Sequence, residues 1–229
     1  MDPSSGEVGS AKNPRTWPNL FDFRAAFVEP PRSGDVLPPV TITLPNGTVV
    51  TSEQRDLHRD LSTALGREVT LAASAPERPS LEEYWPDIEG LAHKDTVTDE
   101  SLPAGTFFDL ATIHLLTTAT IERLRALYPQ GRFEVRRFRP NIVVEAASGV
   151  QDFVENAWIG RTLAIGDEVR LSITSPCPRC VMTTLPQGDL PRDPGILRTA
   201  AQHNGVNVGV YAAIVRGGRI RRGDTVELK

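Results

Sequence analysis

The phrase Gly-Asp-x-Val-x-Leu occurs twice in this chain, at Gly166–Leu171 and at Gly223–Leu228. Each copy sets two turn-forming residues directly before alternating apolar residues, the pattern of a turn that launches a half-buried strand. Related patterns fill FEVRRFRPNIVVE (133–145), TLAIGDEVRLSITSP (162–176), CVMTTL (180–185), VGVYAAIVRGG (208–218) and IRRGDTVEL (220–228), and each predicts strand. Many short strands with few helices make the fold class α+β, mainly β. The expected architecture is a β-barrel with a few peripheral helices and the repeated phrase at its rim.

Three helices are predicted between these strands. Thr51 followed by Gln54 has the spacing of a capping box, Leu57, Leu61 and Leu65 share one face, and Gly66 supplies a stop, giving a helix over 52–65. A second starts at Thr117 or Thr118, places Ile121, Leu124 and Tyr128 on one face and ends before Pro129. A third starts at Asp193, with Pro194 in the first helical position, and ends at Gly205. Before them, VTITLPNGTVV (40–50) alternates around Pro45-Asn46-Gly47 and predicts a β-hairpin. Residues 74–106, rich in proline and charge, predict a long surface loop. Residues 1–229 are thus expected to form a single domain, with 40–71 as an abbreviated strand–helix–strand subdomain.

Of the 229 residues 39% are apolar, enough for a proper core. The net charge of −4 gives no electropositive excess for a nucleic-acid or anionic-membrane partner. No apolar run approaches the roughly 20 residues of a membrane span, and the polar start MDPSSGEVGS has no apolar core of an export signal, so a cytoplasmic location is expected. Two cysteines three residues apart then point to metal or redox use rather than to a disulfide framework.

Both lie in Ser175-Pro-Cys-Pro-Arg-Cys-Val-Met-Thr-Thr184, where two prolines oppose helix and favour a rigid segment at a strand end. The fixed charge of Arg179 favours the thiolate of Cys180, a soft ligand for molybdenum, copper(I) or zinc. A structural zinc site would need four ligands, and His58, His93, His114 and His203 are scattered without ligand spacing. A thioredoxin-like motif would need a helix that Pro178 opposes. A buried cysteine pair and a lone persulfide-carrying nucleophile stay open on these residues alone.

The words Arg137-Phe-Arg-Pro-Asn-Ile142, Phe153-Val-Glu-Asn-Ala-Trp-Ile-Gly160, Cys177-Pro-Arg-Cys-Val-Met-Thr-Thr184, Asn204-Gly205 with Gly209, and Gly223-Asp224 stand in this order. Together they resemble the MOSC domain, the family named after the C-terminal domain of molybdenum cofactor sulfurases. The likeness is to the eukaryotic amidoxime-reducing components and their bacterial relatives. Segment 107–127 resembles the aspartate-led strand and helix opening that precede those motifs, and Gly9–Lys12 with Pro14-Arg15 resembles the lysine-bearing opening strand.

The resemblance implies a β-barrel-rich domain that holds a molybdenum–molybdopterin cofactor in a groove, with Cys180, not Cys177, as the metal ligand and catalytic residue. It sets Arg139 and Asn141 facing the cofactor, where a guanidinium fork suits a phosphate or carbonyl and an amide suits the pterin edge. Lys12 and Arg15 are expected phosphate anchors, Thr117 and Thr120 further donors to an anion, and Asp109 and Arg179 further cofactor-binding residues. Each has a plainer role: solvated face for Arg137 and Arg139, strand end for Asn141, helix cap for Thr117 and Thr120, fold support for Asp109. Trp158 is read as core. Pro178 stands where the amidoxime-reducing relatives have serine, which removes a hydroxyl and an N–H beside the cofactor.

The activity so implied is reduction of N-hydroxylated small molecules, namely hydroxylamines, amidoximes or N-hydroxylated bases. No flavin, NAD or four-cysteine ferredoxin fingerprint appears, so electrons are expected from a separate flavin or iron–sulfur reductase. Two rival readings use the same residues: a sulfur carrier with a persulfide on Cys180, and a non-catalytic carrier of the cofactor. A protective disulfide with Cys180 is the role expected of Cys177.

Overall fold

The computed structural model describes residues 1–32, 34–150 and 152–229. The chain divides into two compact units, one formed by residues 1–84, 97–107 and 187–189, the other by 85–96, 108–186 and 190–229.

In the first unit, β1 (Arg24–Phe27), β2 (Val40–Thr43) and β3 (Val49–Thr51) form an antiparallel sheet in that order. The expected hairpin joins β2 to β3. Gly47, at φ 84°, donates its N–H to Leu44 O at 2.9 Å, and Asn46 Oδ1 accepts from the Thr48 N–H at 3.0 Å. Helix α1 spans Leu57–Leu65 and ends at Gly66 in the left-handed conformation, as its glycine predicts. It starts five residues later than predicted because the Gln54 N–H closes a separate turn on Thr51 O at 3.0 Å. The buried Leu57 and Leu61 pack with Trp17, Ile42, Leu44, Val50 and Val69, each such side chain contributing about 2 kcal/mol of burial.

Within the expected loop 74–106 the structure has two paired strands, β4 (Ser80–Trp85) and β5 (Thr96–Ser101), which corrects that expectation. Pro79 and Pro86 bracket β4 rather than interrupt it, and Leu81 and Glu83 are buried at alternate positions.

The second unit contains β6 (Ile113–Thr117), α2 (Thr118–Leu127), α3 (Val135–Phe138), β7 (Ile142–Val144), β8 (Thr162–Ile165), β9 (Val169–Pro178), α4 (Pro194–Asn204), β10 (Asn207–Arg216) and β11 (Val226–Leu228). Its strands form one curled six-stranded half-barrel in the order β11-β8-β9-β10-β6-β7. Only β6 and β7 pair in parallel, so the chain must cross over between them, through α2 and α3. The register of that pair is held at both ends. The Asn141 carboxamide accepts from the His114 N–H at 2.7 Å, and Thr118 Oγ1 accepts from the Ala146 N–H at 2.9 Å.

The repeated phrases explain the rim, since Gly166 turns β8 into β9, its N–H meets Thr225 O at 2.9 Å, and the second copy launches β11 beside β8. Helix α4 has the predicted ends, Asp193 Oδ1 accepting from the Gly195 N–H at 2.9 Å and Gly205 left-handed at φ 53°. Leu115, Leu163, Leu171, Ile173 and Val210 fill one face of the sheet, with Trp158 partly buried against them as expected. Leu116, Ile121, Leu124, Phe133, Phe138 and Ile196 join the helices to the other.

Two predicted strands are corrected. In 133–145, Val135–Phe138 is a helix that ends at left-handed Arg139, and only Ile142–Val144 is strand. Residues Val181–Thr184 form a 3-10 turn, because Cys180 O accepts from both the N–H and the hydroxyl of Thr183, at 3.2 and 3.0 Å.

Candidate functional site

Cys177 sits near the end of β9 and is fully buried, while Cys180 is half-buried in extended backbone immediately before the 3-10 turn. Neither forms a disulfide. Between them, Arg179 fixes its main chain through its N–H to Val206 O at 2.9 Å. Its guanidinium donates to Cys177 Sγ at 2.8 Å and to Phe138 O at 3.0 Å, and Nε is buried with no hydrogen-bond partner among the described residues. Burial disfavours the Arg179 charge, but Cys177, Cys180 and Tyr211 outweigh it and raise its pKa. The cation therefore acts on both sulfurs while its direct hydrogen bond is to Cys177.

Two aromatic residues that the sequence reading did not assign to the site complete this cluster. Tyr211 stands on β10, and burial, followed by the influence of Cys177, raises its phenol pKa, with Asp109 adding in the same direction. His114 on β6 stands edge-on to Tyr211 at 6.1 Å, its Nε2 3.0 Å from Val208 O. Burial, then the Arg179 charge, pushes His114 down to about 4 against the carbonyls of Val208, Arg139 and Phe138, so the ring is neutral near pH 7. Gly209 is required beside it. Its φ is 84°, and a Cβ there would lie 2.5 Å from both His114 Nε2 and Leu115 O. One signal for Tyr211 was present in VGVYAAIVRGG: a buried tyrosine in an apolar strand needs a partner for its hydroxyl.

The residues of the Arg-Pro-Asn segment join the same network. Asn141 is tied to His114 by its side-chain oxygen and by its own N–H to His114 O at 2.8 Å, and its Nδ2 has no hydrogen-bond partner among the described residues. Arg139 is exposed, and its guanidinium makes no hydrogen bond or ion pair with any described residue. Arg137 is fully buried. It donates to the carbonyls of Arg132, Thr183, Leu185 and Pro191 at 2.9, 3.1, 3.3 and 2.8 Å. It therefore does not line a solvated strand face, as its spacing from Arg139 had suggested.

Thr117 and Thr120 form a different cluster. Both are fully buried, and their hydroxyls donate to Glu155 Oε2 at 2.6 and 2.8 Å, while Thr117 also caps α2. The acceptor they bind is the chain's own Glu155 carboxyl group, whose Oε1 is buried without a partner among the described residues. Thr117 also lines a cavity of about 300 Å³ with Val144, Trp158, Leu163, Val226 and Leu228.

Lys12 and Arg15 belong to the first unit. Lys12 is buried and pairs with Glu83 at 2.8 Å, and Arg15 donates to Tyr84 Oη at 3.0 Å while stacking over its ring. The expected set is thus divided: Cys180, Arg179, Asp109, Arg139 and Asn141 belong to the surroundings of one Arg179–Tyr211–His114 cluster, Thr117 and Thr120 to the Glu155 cluster, and Lys12 and Arg15 to bonds within the first unit.

Among the described residues no group of three or more histidine, cysteine, aspartate or glutamate side chains could hold a metal ion, so protein ligands alone make no such site. The family model for the MOSC domain matches residues 104–227, more than half of the chain. The chain belongs to the MOSC family. This family is associated with the molybdenum cofactor, and the matched span contains the Cys180 network whole. No curated protein matches the chain. The donor set of this MOSC domain fits such a cofactor. One thiol suits a thiophilic metal, and the buried Arg179 Nε, the Arg139 fork and Asn141 Nδ2 supply N–H groups for oxygen and nitrogen acceptors.

Proposed function

We propose that this MOSC domain is a molybdenum-dependent oxidoreductase that reduces N-hydroxylated small molecules with electrons from a separate flavin or iron–sulfur protein. The observation that carries this reading is one half-buried thiol, Cys180, whose neighbour Arg179 is hydrogen-bonded to Phe138 O, immediately before the unmatched donors on Arg139 and Asn141. Bound there, a molybdenum–pterin cofactor would supply two-electron oxygen-atom chemistry. Cys180 would ligate the metal, and Arg139 and Asn141 would hold phosphate or pterin acceptors. Arg179 would keep positive charge beside the thiolate. Neutral His114 and the Tyr211 hydroxyl, both buried, keep water away from the inner side of the site. In the overall reaction an N–O bond breaks, the substrate gains two electrons and two protons, and one water leaves.

The Pro178 peptide carries no N–H and no side-chain hydroxyl, so this residue offers the site no hydrogen-bond donor. Molybdenum per chain, measured on protein from a cofactor-competent host beside Cys180→Ser, tests the reading. Near-stoichiometric metal lost in the variant supports it. Absence of molybdenum from both proteins sinks it and directs attention to a persulfide on Cys180.

A further inference from the structure

Arg137 has no assigned role, yet it is the largest fully buried side chain of the molecule. Its pKa is lowered, chiefly by burial, with Asp193 opposing. Its hydrogen bonds go only to main-chain carbonyls, and no carboxylate forms an ion pair with it among the described residues. Burying a guanidinium with no counter-charge costs desolvation, which its hydrogen bonds to carbonyls must offset. What those bonds fix is position. Thr183 and Leu185 close the 3-10 turn that begins immediately after Cys180, and Pro191 lies on the segment that follows.

A second arginine makes the reciprocal connection. Arg179, immediately before Cys180, donates from its side chain to Phe138 O on α3, the helix that carries Arg137. Cys180 therefore lies between two arginine staples to one four-residue helix, and the residue after that helix is Arg139.

We propose that Arg137 is a positioning residue that holds the Cys180 turn at a fixed distance from the donors on Arg139 and Asn141. The inference rests on the reading of Cys180 as the reactive ligand, but its test needs no cofactor. A planar fork with several N–H groups can serve four carbonyls at once, whereas lysine has a single nitrogen.

The experiment is alkylation of the intact, cofactor-free protein by iodoacetamide at one fixed pH. Trypsin cuts after Arg179, so Cys177 and Cys180 fall on separate peptides and their rates are read independently. Arg137→Met is expected to lower the melting temperature and to leave Cys177 slow, while Cys180 alkylation rises about tenfold. Added methylguanidine should return that rate towards the parent value. Equal change at both cysteines, or no change at Cys180 in a folded variant, overturns the proposal. If Arg137→Met does not fold, Arg137→Lys takes its place. A selective rise at Cys180 again supports the proposal, and parent-like rates overturn it. Failure of molybdenum to bind the parent protein would defeat the functional reading and leave these rates unaffected.

Discussion

Strand β6 has polar groups at both ends, and the two ends use them differently. At its start, His114 and Asn141 are joined by main-chain and side-chain bonds, and Asn141 Nδ2 and the nearby Arg139 guanidinium have donors to spare. At its end, Thr117 and Thr120 have committed their hydroxyls to the buried Glu155 carboxyl group. Arg139 and Asn141 near one end, and Thr117 and Thr120 at the other, were expected to contact a cofactor, and their residue types are equally suited to it. The difference is a partner supplied by a residue 35 positions away. A hydroxyl near a helix start signals anion binding, but only the packed structure tells whether the anion is a ligand or the protein itself.

The contrast predicts effects of different size. The largest belongs to the Glu155 end. A Thr117→Val/Thr120→Val double variant removes both donors from a buried acid and should cost about 4 kcal/mol in urea unfolding. A loss under about 1 kcal/mol would mean that the bonds to Glu155 contribute little and that the two ends are alike.

The next effect depends on pH and belongs to the other end. An unfolded histidine titrates at its ordinary value of 6.5, whereas folded His114 is pushed down to about 4. Between these values protons bind the unfolded chain preferentially, so stability from the neutral ring is complete above about 6.5 and is lost as pH falls towards 4. The loss is at most about 3 kcal/mol. Unfolding midpoints at pH 7 and 4.5 for the parent and His114→Gln should differ by less in the variant, and parallel shifts would remove His114 as the cause.

Asn141→Ala deletes one acceptor and should cost about 1 kcal/mol. Smallest of all, Arg139→Met should change stability by no more than about 0.5 kcal/mol, since the guanidinium has no described partner. It should nevertheless lower molybdenum retention several-fold. A large stability loss with unchanged retention would place Arg139 among structural residues and erase the contrast.

What could be read from the sequence follows from the range of the forces involved. Helix α4 and the end of α1 were legible because their signals are local: a capping aspartate before proline, and glycines at left-handed stops. Helix α3 was not, since four residues are too few to show a helical period and Phe-Glu-Val-Arg-Arg-Phe mimics strand alternation. The β-branched run after Cys180 suggested strand, but two hydrogen bonds from Thr183 to Cys180 O close a turn there. At the site, the ordered motifs indicated the family and the candidate thiol. The Arg179–Cys177–Tyr211 contacts and the Arg137 staple were hidden, because they join residues 34 to 54 positions apart or depend on which sulfur a guanidinium meets.

The two clamps on the parallel pair of β6 and β7 have a consequence for chain length. Asn141 and His114 set the alignment at one end, Thr118 and Ala146 at the other, so neither clamp relies on the residues between α2 and α3. The exposed turn around Gln130 can then take an insertion without sliding one strand past the other. In this half-barrel, strand alignment and loop length are separate variables, which leaves that crossover open to insertion while the geometry around Cys180 stays fixed.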